Sequence, residues 1–310
     1  MSKFYKSSLI IAVISIALGL GFSIVGMVGG GIGLFREMVM SDDFSINWRD
    51  GALKVFGINL LDENWKEDGN GTSTEGVYSL SEYKIENLQL DIARANCEIV
   101  YEEGADAYRV SVLKRREDSQ VEYGVKDNTL YVKSNNSAKT IAKIKADKIV
   151  ITIPEEKVYD KIDIVLGAGT ITMEDKLAAK EFTTEIGAGS IEADTIVAKE
   201  KFKCDVGAGN LEIDTLKAGT IQANCDAGSI EVDSAKADKD MEIQCNAGAV
   251  DFDMEESEDT FNYDISCAMG SISVGEEEHS GMNFSQKVDN RADRTCTVEC
   301  NLGAVTVEFQ

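Results

Sequence analysis

The chain has 310 residues, with 31 Lys and Arg against 55 Asp and Glu, a formal net charge of −24. That balance argues against nucleic acid as a partner, since phosphates require a basic face, and against electrostatic attachment to an anionic lipid surface. A single proline, Pro154, fits a chain made mostly of sheet, and a single histidine, His279, excludes any site that needs two.

Lys3 and Lys6 precede an uncharged run from Leu9 to Phe35. As a helix this run spans about 40 Å, enough to cross a hydrocarbon core of ~30 Å. It is longer than a signal-peptide core and lacks an A-x-A cleavage site, so an uncleaved transmembrane helix over residues 9–35 is predicted. The lysines before it place residues 1–8 in the cytoplasm and the acidic remainder outside. Residues 36–76 read as a juxtamembrane stalk, mixed in character, with Trp48, Phe56 and Trp65 in a polar background.

Residues 77–165 alternate apolar and polar side chains over short runs such as YKIENLQLDI, YRVSVLKR and KIVITIP, the period of a strand. They are predicted to form an N-terminal cap and the first irregular coils. From residue 166 to 310 the chain repeats itself. Copies include IVLGAGTITM from Ile164, TEIGAGSIEA from Thr184, CDVGAGNLEI from Cys204 and VECNLGAVTV from Val298. Numbered on Leu166, Ile186, Val206, Cys225, Cys245, Cys267 and Cys300, the steps are 20, 20, 19, 20, 22 and 33 residues.

A period near twenty predicts an all-β chain, a parallel β-solenoid or single-chain β-helix of about 20 residues per coil, behind one N-terminal transmembrane helix. Within each copy the apolar positions recur two apart, so they share one face of a pleated strand and point inward. The glycine-rich triplet reads as a corner, its glycines permitting positive φ and its middle alanine filling the inside. The long last step predicts an inserted loop at 275–295, projecting from the final coil.

Four of the seven cysteines, Cys225, Cys245, Cys267 and Cys300, replace aliphatic residues in one inward column, and read as buried thiols acting as small hydrophobes. A straight column does not converge, which argues against a four-cysteine metal site.

Outward positions carry acids in two rows. Glu192, Glu212, Glu231 and Asp251 form one, and Glu174, Asp194, Asp214, Asp233 and Asp253 the other. Two readings stand open. The rows hold a strip of Ca2+, whose ligands are flexible carboxylates, and link the face to an anionic wall polymer; or they are a solvated face that blocks edge pairing. No cofactor is otherwise indicated. Catalysis is not: the carboxylates form uniform rows with no marked pair, no arginine falls between Arg116 and Arg291, and His279 has no triad partners.

The strings IENLQLDIARANCEIVY, KIVITIP, GAGTITMED, GAGSIEADT, GAGNLEIDT and DAGSIEVDS resemble a bacterial β-strand-repeat domain family of unknown function labelled "putative adhesin", frequent behind one membrane span. The resemblance covers residues 80–310. It implies an extracytoplasmic solenoid and assigns no catalytic residue. Together these observations predict a single-pass, membrane-anchored binding or scaffold module of the cell envelope. Its partners are the cytoplasmic membrane through residues 9–35 and a wall polymer or membrane protein. An accessory subunit of an envelope-stress sensing system is the alternative, and a carbohydrate-active β-helix enzyme the remote one.

Overall fold

A computed structural model describes residues 44–47, 52–55, 58–59, 76–80, 83–105, 107–113, 120–135, 147–154, 156–280 and 283–310. The predicted transmembrane helix over residues 9–35 lies outside the described residues. Among those described, no helix is long and apolar enough to cross a membrane.

The chain divides into two units, residues 1–65 and 66–310. In the first, three short strands, β1 (Phe44–Asn47), β2 (Ala52–Val55) and β3 (Ile58–Asn59), pair antiparallel.

The second unit is one 18-stranded open sheet wound into a solenoid-like stack. Its strands begin with β4 (Gly76–Leu80), β5 (Asn87–Tyr101), β6 (Tyr108–Leu113), β7 (Gln120–Lys126), β8 (Thr129–Asn135) and β9 (Asp147–Ile153). The regular coils use β10 (Val158–Ile186), β11 (Ser190–Val206), β12 (Asn210–Cys225), β13 (Ser229–Ala237), β14 (Met241–Cys245) and β15 (Ala249–Met254). After a 3-10 turn at Glu258–Thr260 come β16 (Asn262–Cys267), β17 (Ser271–Val274), β18 (Glu277–Ser280), β19 (Phe284–Val288), β20 (Thr295–Cys300) and β21 (Ala304–Phe309).

Successive coils pair parallel and in register: Ile171 with Ile191, Ile191 with Leu211, Leu211 with Ile230, and Ile230 with Val250. Each coil has three sides. The first carries the column Phe182, Phe202, Ile221, Met241 and the second the column just named. The third carries Leu177, Ile196, Leu216 and Ala235, followed by Ala179, Ala198, Ala218 and Ala237. All of these are buried, and each full burial of a large apolar side chain stabilises by ~1.5–3 kcal/mol. The rings of Phe182 and Phe202 pack 5.9 Å apart, so the columns bind coil to coil.

The corner differs from the sequence expectation. The middle residue of the triplet points outward: Ala188, Ala208 and Ala227 are exposed. The third residue faces inward instead. A Cβ on Gly209 would lie 2.5 Å from Ile186 Cγ2, and one on Gly303 2.5 Å from Cys245 Sγ. Among the triplet glycines only Gly169 has a positive φ, +108°. Glycine is needed here for close approach between coils, not for a left-handed backbone. The step of 19 residues has a similar cause. Two residues lie between Ala218 and Ile221 where three lie between Ala198 and Phe202, and a Cβ on Gly219 in that shortened corner would lie 2.7 Å from the Lys199 carbonyl oxygen.

Both ends of the stack are built out of sequence order. At the C-terminal end β14 and β15 pair not with the next copy, β16 and β17, but with β20 and β21. The copy over 262–274 lies outside them, paired parallel to β20 and β21. Residues 275–295 therefore do more than project as a loop. They supply β18 and β19, which pair antiparallel with β17 and β16 and cover the last coil. At the other end β8 and β9 lie outside β5, β7 and β6 cover them antiparallel, and the chain returns to lay β10 on β5. An unpaired parallel coil would be a template for aggregation, and an antiparallel strand across each end removes it.

Candidate functional site

The second side of each coil is a short strand after the corner, and its alternate side chains must point to solvent. Register then stacks equivalent outward residues. Glu192 pairs with Glu212, Glu212 with Glu231, and Glu231 with Asp251. The file begins with Val150, Glu98 and Thr172 and ends uncharged at Thr306 and Ser273. Two residues further along each strand stand Asp194, Asp214, Asp233 and Asp253. A third file of small polar residues, Thr170, Ser190, Asn210 and Ser229, runs beside the corner. The result is a flat face with a hydroxyl-and-amide row and two carboxylate rows.

Eight of the nine predicted acids stand in these two files, and the ninth, Glu174, is exposed two residues beyond Thr172 on β10. Glu192, Glu212, Asp194, Asp214, Asp233 and Asp253 are exposed, while Glu231 and Asp251 are half-buried. Glu308 belongs here too. It pairs with Asp253 and was missed because its copy was expected beyond residues 262–274, although it stands eight residues after Cys300, the row's own position.

The lysines of neighbouring sides bond elsewhere: Lys176 to Glu156, Lys180 to Asp160 and Lys217 to Glu255. Among the described residues none of Glu192, Glu212, Glu231, Asp251, Asp194, Asp214 or Asp233 has a salt bridge. Carboxylates about 4.8 Å apart repel by about 1 kcal/mol in water, and the protein responds by favouring protonation. Burial, then the charges of Asp253, Glu231, Glu308 and Asp233, push Asp251 up to about 6. Burial and neighbouring acids also raise Glu212, Glu231 and Asp233 above the ordinary carboxylate range.

The pleat keeps these side chains parallel, so they do not close around a point. Among the described residues no group of three or more His, Cys, Asp or Glu is placed to hold a metal ion. His279 stacks on Phe284 at 3.6 Å, with its Nε2 3.3 Å from a Glu277 oxygen. The seven cysteines are buried and free of disulfides.

The model of the family described as Toastrack DUF4097 matches residues 85–201 and again residues 182–308. Solved structures resemble the chain at low identity. One from Parabacteroides distasonis, described as a "putative adhesin", is 14% identical over 76% of this chain and 96% of its own, with a TM-score of 0.41. A "putative adhesin" from Bacteroides fragilis is 13% identical over 76% of this chain and 97% of its own, with a TM-score of 0.35. A "Putative lipid binding protein" from Parabacteroides distasonis is 12% identical over 78% and 98%, with a TM-score of 0.34. No curated protein matches the chain.

Proposed function

We propose, from the premise that the chain belongs to the Toastrack DUF4097 family, that it is a non-catalytic binding or scaffold module held at the cytoplasmic membrane by residues 9–35. Its solenoid extends outside the membrane and offers the second-side face to a component of the envelope. The observation that carries this reading is the unneutralised run Glu192, Glu212, Glu231 and Asp251, four carboxylates in register on one flat face. A row of charges without internal partners is suited to a regular polymer, whose repeating groups match a repeating spacing. Ca2+ bridging the rows to an anionic wall polymer is the form of attachment this chemistry favours.

Two experiments test the proposal. Isothermal titration of the full chain with calcium, with and without isolated wall polymer, should give heat that is lost in E192Q/E212Q/E231Q; no heat in either titration overturns the role of the acidic face. Deletion of residues 9–35 should move the protein from the membrane to the soluble fraction, and unchanged membrane retention overturns the anchor.

A further inference from the structure

Inward and just before each corner, the stack carries Ile186, Val206, Cys225, Cys245, Cys300 and Cys267, in that spatial order and in register. The aliphatic file becomes a file of four thiols at the C-terminal end. Interleaving of the coils brings Cys300 between Cys245 and Cys267, an adjacency that the order of the chain conceals.

One feature is shared with Cys245, whose sulfur takes the Gly248 amide in the same kind of corner, and a second sets the terminal pair apart from plain core packing. Corner amides aim at the sulfurs. In the C-x-x-G corner after Cys267, the N–H of Gly270 donates to Cys267 Sγ at 3.2 Å, and the Gly303 amide bonds Cys300 in the equivalent corner. Amide donors to sulfur favour the thiolate, but burial raises Cys267, and the Cys245 thiol and then burial raise Cys300, so both remain thiols until a cation displaces their protons. The pair, 4% and 2% exposed, also borders an opening. An open groove of about 350 Å3, walled by Asn283, Phe284, Ser285 and Asn301, reaches Cys267 and Cys300.

We propose that Cys267 and Cys300 form a two-coordinate site for a soft monovalent cation, Cu(I), entered through this groove. Thiolates select Cu(I) over the hard cations. Two metal–thiolate bonds of about 2.3 Å each span about 4.6 Å, close to the ~4.8 Å between adjacent strands. A parallel file cannot surround a cation that needs four donors, but it suits one that accepts two in a line. Binding breaks both S–H bonds, forms two Cu–S bonds and releases two protons to solvent, leaving a bis-thiolate complex of net charge −1. The amides of Gly270 and Gly303 offset that charge. With two protons displaced, affinity rises by up to about 100-fold per pH unit while both thiols remain protonated. This site does not depend on the acidic face.

The test is an anaerobic titration of the full chain with Cu(I) against a chromogenic Cu(I) chelator. One Cu(I) should be retained per chain. Retention should fall at least 100-fold in C267V/C300V, where valine repeats the residue at Val206, and be unchanged in C204A, where alanine repeats the neighbouring Ala223. X-ray absorption of the wild-type complex gives a second readout that does not depend on a variant folding: two sulfur neighbours are expected. No retention by the wild type, equal retention by the double variant, or a coordination shell of nitrogen and oxygen overturns the proposal.

Discussion

The guanidinium of Arg294 lies 4.4 Å from the centre of the Phe261 ring, joining the residue that enters the outermost coil to the one that starts the return. Arg294 also bonds the Glu256 carboxylate at 2.9 Å and the Thr260 carbonyl at 3.3 Å, and reaches the carbonyl of Ala237. One side chain thus ties together the last regular coil, the 3-10 turn and the returning strand. Arg294→Ala should lower stability by about 3 kcal/mol, because it leaves Glu256 partly buried and unpaired. Arg294→Lys should recover only part, since an ammonium lacks the planar fork. Thermal unfolding and hydrogen exchange at β20 check both.

The corner geometry predicts opposite outcomes for adjacent residues. Gly209→Ala drives a methyl into Ile186 and the Gly189 backbone and should cost ~1–3 kcal/mol, the range for overpacking. Ala208→Ser faces solvent and should stay within about 0.5 kcal/mol of wild type. Equal effects in thermal unfolding would contradict the inward placement of the third triplet residue.

Stability should respond to acid in an unusual direction. Asp251 is raised to about 6 from its ordinary value, so the folded state binds the proton more tightly than the unfolded chain. Its contribution is therefore favourable below the unfolded value and is lost as pH rises through about 6. Asp251→Asn should stabilise the protein at pH 7.5 by about 1 kcal/mol, after discounting the full shift for solvent screening, which is ~2–4 °C in melting temperature. It should also flatten the stability profile between about pH 4 and pH 6. A variant that melts at the wild-type temperature at pH 7.5 would refute this account of the acidic face.

Thr184 points inward at 1% exposure, and its Oγ1 has no hydrogen-bond partner. Its in-register neighbour is Cys204. Thr184→Val removes an unsatisfied hydroxyl at constant volume and should stabilise by about 1 kcal/mol. A loss of stability in chemical denaturation would show that the hydroxyl is engaged.

The repeat made most of the coil legible. Period two within copies and twenty between them located two of the three sides, the inward columns and both acidic rows. The third side escaped because its signal is shorter: Leu177, Ile196 and Leu216 are followed two residues later only by alanines, where the coil is narrow. The corner was misjudged because a sequence shows that glycine and alanine alternate but not which faces in. Backbone closeness to the previous coil, as at Gly209, decides that. The interleaved ends were invisible for a deeper reason. All copies share one pattern, so Cys245 could stack on Cys267 or on Cys300 with similar burial, and only the length of residues 275–295 hints that the chain doubles back. Glu308 was lost from the acidic face by the same ambiguity.

That doubling back governs how the protein bears load. The last strand, β21, is clamped between β15 and β17, and β5 lies between β8–β9 and β10. Tension applied at Gln310 must shear two ladders at once, and cannot peel an outer rung bond by bond. Pulling from the other side first meets β4, paired antiparallel with β6, and then the same arrangement at β5. Stretching such a molecule in an optical trap should give a high initial rupture force, with the middle coils yielding only after a lapped joint has failed.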